Sequence, residues 1–180
     1  MTSNVIIYTD GGCNPNPGRG GWAAILLFEH NGITHYKELS GGEAETTNNR
    51  MEILAVLNGL EALKLLKRSC VVTIFSDSKY VVNGIGDWDN GKPTENKNGW
   101  IVNWKQRSWS KKDGELKNID LWITIYELIQ KQKSVTMKWI RGHTGHEYNE
   151  RCDILAVEAR RSIINDPMGH RLRPTKNIFD

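Results

Sequence analysis

The chain has 180 residues, with 38% hydrophobic and 25% charged, which fits one domain around one core. No stretch approaches the roughly 20 consecutive apolar residues of a membrane helix, and residues 1–4 lack the basic start and apolar run of a secretory signal. A formal net charge of +3 commits to no partner class, and the three cysteines, Cys13, Cys70 and Cys152, show neither disulfide-framework nor zinc spacing, so a reducing, cytoplasmic setting is expected.

Residues 5–9, Val-Ile-Ile-Tyr-Thr, form a short β-rich run that stops at Asp10. The Gly/Asn/Pro cluster over 11–18 predicts a loop. Two more strands are expected over 21–28 and 33–39, joined at Asn31-Gly32, a hairpin dipeptide. From Thr47 the period becomes helical through Ile53, Val56, Leu57, Leu60 and Leu63, with Lys64, Lys67 and Arg68 near the end, where cations suit the dipole. Residues 71–75 read as a strand ending at Ser76-Asp77, and Ser78 is placed to cap a short helix through Val82. Residues 87–99 are polar and predict a loop; 100–109 and 121–130 predict helices, 135–140 a strand and 141–149 a Gly/His loop. A helix over 150–164 and an irregular tail follow. Five strands, three joined by hairpins and then two alternating with helices, imply an α/β fold: a mixed sheet covered by helices.

Charge is uneven along this chain. Residues 97–117 carry Lys97, Lys105, Arg107, Lys111, Lys112 and Lys117 against Asp113 and Glu115, a local net of +4, with Trp100, Trp104 and Trp109 interleaved. Basic side chains among aromatics suit a nucleic-acid surface. A helix with a solvated basic face over buried tryptophans explains the same residues equally well.

One local pattern occurs twice. Val5-Ile6-Ile7-Tyr8-Thr9-Asp10-Gly11 matches Val72-Thr73-Ile74-Phe75-Ser76-Asp77-Ser78 in kind: an apolar strand, a hydroxyl, an Asp, a small residue. If the two strands are parallel neighbours, Asp10 and Asp77 meet at their C-terminal ends, where open α/β sheets place ligands. Glu52 opens a helix whose Ala55 and Gly59 at i+3 and i+7 permit close approach to a strand, and Asp153 lies early in the last helix. Taken alone, Glu52 and Asp153 read as solvated helix residues, the class to which Asp87, Asp89, Asp120, Glu127 and Glu150 are assigned. Together, acids from four elements make sense mainly as a metal site, because crowded carboxylates repel one another and hard divalent ions take oxygen ligands. His143, in a Gly-flanked loop, is a candidate proton carrier; His146 is read as a surface residue.

Five segments then carry a specific resemblance. Thr9-Asp10-Gly11-Gly12 with Asn14-Pro15-Asn16-Pro17-Gly18-Arg19-Gly20-Gly21-Trp22-Ala23 resembles the opening of the type 1 ribonuclease H family. Thr46-Thr47-Asn48-Asn49-Arg50-Met51-Glu52, Ser76-Asp77-Ser78-Lys79-Tyr80-Val81, Trp100-Ile101-Val102-Asn103-Trp104-Lys105, and Gly142-His143-Thr144-Gly145-His146 with Asn149-Glu150-Arg151-Cys152-Asp153 resemble its later signatures, in family order. The resemblance implies a ribonuclease H-like fold with a five-stranded mixed sheet, a catalytic domain over 1–165 with a basic protrusion at about 100–118, and an irregular tail over 166–180. It implies cleavage of the RNA strand of an RNA–DNA hybrid, leaving 5′-phosphate and 3′-hydroxyl ends, with two Mg²⁺ ions per site; oxygen ligands admit Mn²⁺ as well.

Residue by residue, Asp10, Glu52, Asp77 and Asp153 fall on the family's metal-binding carboxylates, and His143 on its loop histidine, implied to assist proton transfer or product release. Cys13, Asn16, Asn48 and Asn49 fall on minor-groove positions, Thr47 on a DNA-phosphate contact, and Trp100, Trp104, Lys105, Lys111 and Lys112 in the segment that grips the DNA strand. Lys79 stands where many relatives have Gln, which makes one groove contact more electrostatic. Residues 87–99 look like an insertion, either an extended DNA-binding surface or, as preferred, a spacer. A monomer without an obligate protein partner is expected. The alternatives are a hybrid-binding module without catalysis and a DNA-acting nuclease or transposase of the same fold; the complete set of acids argues against the first, and the Asn-rich and Trp/Lys segments against the second.

Overall fold

The computed structural model describes residues 3–30, 32–111 and 113–165. Among the described residues seven strands form one sheet: β1 (Ser3–Cys13), β2 (Gly18–His30), β3 (Ile33–Thr46), β4 (Cys70–Ser76), β5 (Gly86–Asp89), β6 (Lys92–Asn98) and β7 (Ser134–Trp139). Their order is β3-β2-β1-β4-β7-β5-β6. β1, β2 and β3 are an antiparallel meander, β4 runs parallel to β1, and β7 runs parallel to β4. The helices are α1 (Asn48–Ala62), α2 (Lys79–Ile85), α3 (Trp100–Gln106), α4 (Ile119–Gln130) and α5 (Glu147–Asn165).

Alternation along β2 shows why helices cover two faces of the sheet. Ala24, Leu26 and Phe28 join Ile53, Val56 and Leu60 of α1 and Trp122 and Ile125 of α4 in the main core. The intervening Ala23 and Ile25 pack with Cys152, Leu155 and Ala156 of α5 in a second cluster. Successive side chains of a strand point to opposite faces, so β2 is buried on both. Thr47 caps α1, its hydroxyl accepting from the Arg50 N–H at 3.3 Å. No helix among the described residues is long and apolar enough to cross a membrane.

Four expectations change. The sheet has seven strands rather than five, because 87–99 is mostly a hairpin and not a loop. Its turn is Asn90-Gly91, both with positive φ (47° and 71°), and Asp89 pairs with Lys92 across it. The hairpin docks because Trp88 is buried opposite Val135 of β7, and because the Asp87 carboxylate accepts the Met137 N–H at 2.8 Å and meets Lys97 Nζ at 3.3 Å. Asp87 is therefore a sheet-edge clamp, not a freely solvated acid. Second, β1 does not stop at Asp10: Gly11, Gly12 and Cys13 continue the ladder opposite Trp22, Gly21 and Gly20. Third, Ser78 occupies the N-cap of α2 but makes no side-chain cap; its own N–H donates to Ser76 Oγ at 3.1 Å. Fourth, α5 starts at Glu147, so the loop after β7 is shorter than expected. Lys112 and the tail over 166–180 lie outside the described residues.

Candidate active site and nucleic-acid interface

The parallel pairing of β1 and β4 puts Thr9 opposite Ser76, so Asp10 and Asp77 follow side by side. α1 brings Glu52 to the same place. Ligand atoms of Asp10, Glu52 and Asp77 all lie within 4.8 Å of one another. Asp153 is outside that tight group but borders it. It lines one small cavity with Asp10, Gly11 and Gly12, and its charge acts on both Asp10 and Asp77. Four acids from remote segments thus converge.

Close approach of α1 to β1 depends on Gly11. A Cβ there would stand 2.4 Å from the Met51 carbonyl carbon and 2.6 Å from the Glu52 N, both backbone atoms that cannot step aside. Gly11→Ala is expected to cost about 2–3 kcal/mol of stability. By displacing Glu52 it should also lower turnover by about 100-fold; chemical denaturation and steady-state rates on the same preparation check both.

Burial and mutual repulsion make these acids reluctant to ionise. Asp10 is pushed up to about 7, by burial first and then by the charges of Asp77 and Asp153, against one 2.8 Å hydrogen bond from the Gly11 N–H. Glu52 is held well above the usual carboxylate range by burial, then by Asp10 and Asp77. Asp77 is raised as well, chiefly by burial, with its own backbone N–H and His143 pulling the other way. Among the described residues, Glu52 Oε2 is fully buried and accepts no hydrogen bond. An orphaned carboxylate oxygen inside an acidic cluster matches the donor set of a hard divalent cation, so the residues fit such an ion.

The loop after β7 carries His143 over Asp77. A Cβ on Gly142 would sit 2.4 Å from Asp77 Oδ2, so a side-chain-free residue lets the loop pass this close. His143 itself is exposed, at φ 55°, and its charge reaches Asp77. One neighbour escaped the sequence reading. Trp139 ends β7, is 47% exposed, and donates from Nε1 to the Asp77 carbonyl at 2.9 Å. Lys79 Nζ lies 5.1 Å from its ring centre, which places Lys79 on the rim of the acid pocket. The only hint in the sequence was an aromatic at the C-terminal end of a predicted strand.

Cys13, Asn16 and Asn48 form one connected unit. Asn48 Oδ1 accepts the Cys13 N–H at 2.7 Å, while Asn16 Oδ1 accepts from both the Cys13 thiol (3.2 Å) and the Asn48 N–H (3.2 Å). With Thr47 and Asn49 exposed beside them, this is a polar surface at the N-terminus of α1. Arg50 fixes it, bonding Glu43 of β3 through Nε (2.8 Å) and Nη2 (3.2 Å), and reaching Asn118 through Nη1 (3.3 Å). Arg151 fixes α5 in the same way, donating to both oxygens of Glu38 at 2.7 and 2.9 Å two residues before Asp153.

The Trp/Lys stretch divides by atom into packed rings and exposed cations. Trp104 packs on buried Trp122 at 5.3 Å and Trp109 on Tyr126 at 5.7 Å, so these rings anchor the protrusion. Trp100 is 40% exposed, 6.0 Å from Trp104, and Lys105, Arg107, Lys111 and Lys117 are exposed. Lys105 Nζ sits 5.9 Å from the Trp109 ring centre.

Comparison with known proteins identifies the family. The family model described as RNase H matches residues 2–161. The chain belongs to the ribonuclease H family. A protein of Pseudomonas entomophila named ribonuclease H is 48% identical over 157 residues, covering 87% of this chain and 93% of the relative. Another ribonuclease H, of Nitratidesulfovibrio vulgaris, is 48% identical over 167 residues, or 91% of this chain and 95% of its own. Among solved structures, LC9-RNase H1, described as a type 1 RNase H with the type 2 active-site motif, superposes with a TM-score of 0.75 at 28% identity, over 90% of this chain and 74% of that one. The ribonuclease H-like fold expected from the motifs is thereby shown.

Proposed function

We propose that this chain is an endonuclease that hydrolyses the RNA strand of RNA–DNA hybrids, with Asp10, Glu52, Asp77 and Asp153 holding two divalent cations, Mg²⁺ or Mn²⁺, and that residues 1–165 are its catalytic domain. The observation that carries the reading is the buried, unbonded Glu52 oxygen within a three-acid group confined to 4.8 Å. When bound, paired cations would neutralise charge on the attacking and leaving oxygens and make water a better nucleophile at neutral pH. The chain's own groups do the rest. The carboxylates orient the site, and Asp153, at the edge of the tight group, has room to respond to substrate. His143, on its exposed loop, is placed to move a proton. Water adds to phosphorus, the P–O3′ bond breaks, and the 3′ oxygen leaves as a hydroxyl once protonated, so the phosphate remains on the 5′ end.

Recognition divides by strand. Asn16 and Asn48, whose amide oxygens already accept bonds within their own unit, present amide N–H groups that can donate to a 2′-hydroxyl, Lys79 adds an electrostatic groove contact, and Thr47, Trp100, Lys105, Lys111 and Lys112 grip phosphate and sugar over the Trp104 ring that packs on Trp122. Such contacts carry little base information, so weak sequence preference and steep salt dependence are expected. The test is incubation with end-labelled hybrid, duplex DNA and duplex RNA, with and without Mg²⁺. Metal-dependent cutting confined to the RNA of the hybrid is expected; a cut DNA strand, or an intact hybrid, contradicts the reading.

A further inference from the structure

Arg160 took no part in the motifs, yet the fold carries it to the acid pocket. It follows Asp153 by seven residues on α5, hence on the same face. Gly21 of β2 makes this possible: a Cβ there would stand 2.0 Å from the Ala156 carbonyl oxygen and 2.8 Å from the Arg160 N, so α5 lies directly on the β1–β2 hairpin. Arg160 lines the cavity that Asp10, Gly11, Gly12 and Asp153 also line, and its charge reaches the Cys13 thiol. It therefore stands between the acids and the Cys13–Asn16–Asn48 surface.

Its guanidinium differs from those of Arg50 and Arg151, which are bound to Glu43 and Glu38. Among the described residues, no hydrogen bond or ion pair engages Arg160. Nor is it arranged to neutralise the pocket: the charges acting on Asp10 are those of Asp77 and Asp153. The guanidinium of a half-buried arginine with open donors is matched to a bidentate anion. α5 and the protrusion pack on opposite faces of the sheet, with the acids between them. A strand held by the protrusion would thus lie on the far side of the acids from Arg160, whereas a strand crossing the acids would pass the cavity that Arg160 lines.

We propose that Arg160 binds a phosphate of the RNA strand adjacent to the one being cut, and so sets affinity and register for the hybrid. This rests on the hybrid-cleavage reading above. The experiment compares wild type, Arg160→Ala and Arg160→Lys in steady-state cleavage, and measures the salt dependence of hybrid binding with each change placed on Asp10→Asn. For Arg160→Ala the KM should rise about three- to tenfold at nearly unchanged kcat, and the log–log salt slope should fall by about 1. Arg160→Lys should restore the slope but only part of the KM. A neutral methylphosphonate beside the cut site in the RNA strand should erase the difference between wild type and Arg160→Ala; the same group in the DNA strand should not. An unchanged KM and slope in a wild-type enzyme that does cut hybrid overturns the Arg160 assignment alone, as does erasure by the DNA-strand group. Failure of wild type to cut hybrid at all overturns the cleavage reading and this assignment with it.

Discussion

Asp10→Asn is expected to lower hybrid turnover by at least about 10³-fold while leaving hybrid affinity within a few-fold. The substitution keeps the side chain's size but removes one charge from the group confined to 4.8 Å. A neutral amide is a weaker ligand for a hard cation, so the site should lose metal affinity and charge stabilisation together. Binding should survive because the groove unit of Cys13, Asn16 and Asn48 and the cations of the protrusion are separate from the pocket and braced independently by Arg50 and by the Trp104–Trp122 contact. Single-turnover cleavage and electrophoretic binding of the same hybrid separate the two. A variant that cuts at the wild-type rate would remove Asp10 from the reaction; one that fails to bind would place it in the interface instead.

The same substitution should stabilise the metal-free protein. Burial and the charges of Asp77 and Asp153 push Asp10 up to about 7 from its ordinary 3.8, so the folded chain holds this proton more tightly than the unfolded chain. Its contribution is fully present below about pH 4 and is lost as pH rises to about 7, and Glu52 and Asp77, raised in the same direction, steepen the loss. With EDTA at pH 8, Asp10→Asn should therefore gain about 2–4 kcal/mol, up to the full linkage value, or about 4–16 °C in Tm. The gain should vanish at pH 4, where both chains carry a neutral group. In saturating Mg²⁺ the order should reverse, since only the wild type keeps the full ligand set. Equal Tm values in EDTA at pH 8 would mean that the acids do not strain the fold.

How much of this was legible beforehand depends on what each residue contacts. The matched strands around Asp10 and Asp77 could be read as parallel neighbours because hydrophobic runs and turn residues are properties of the local chain, and the register of Thr9 with Ser76 bears that out. The helical period around Ile53 was equally visible. Burial of Glu52 was not: an acid in the first turns of a helix is ordinarily solvated, and only the absence of a side chain at Gly11 on another element draws it inside. The β5–β6 hairpin was missed because its strands are polar and lack apolar alternation, although Asn90-Gly91 is the same dipeptide that marked the first hairpin and Trp88 supplies its anchor. The extension of β1 through Gly11, Gly12 and Cys13 is held by backbone pairing, which side-chain patterns do not report. Trp139, Arg50 and Arg151 act through partners up to 113 residues away, a kind of pairing that one sequence does not display.

Whether the acids hold metal is tested by anomalous diffraction at the manganese edge from crystals of the wild-type protein soaked in Mn²⁺. A strong peak bounded by the carboxylates of Asp10, Glu52 and Asp77 is expected, displaced or lost in Asp10→Asn crystals treated identically. A pocket free of anomalous density at saturating Mn²⁺, in a protein that still cleaves hybrid, would contradict it.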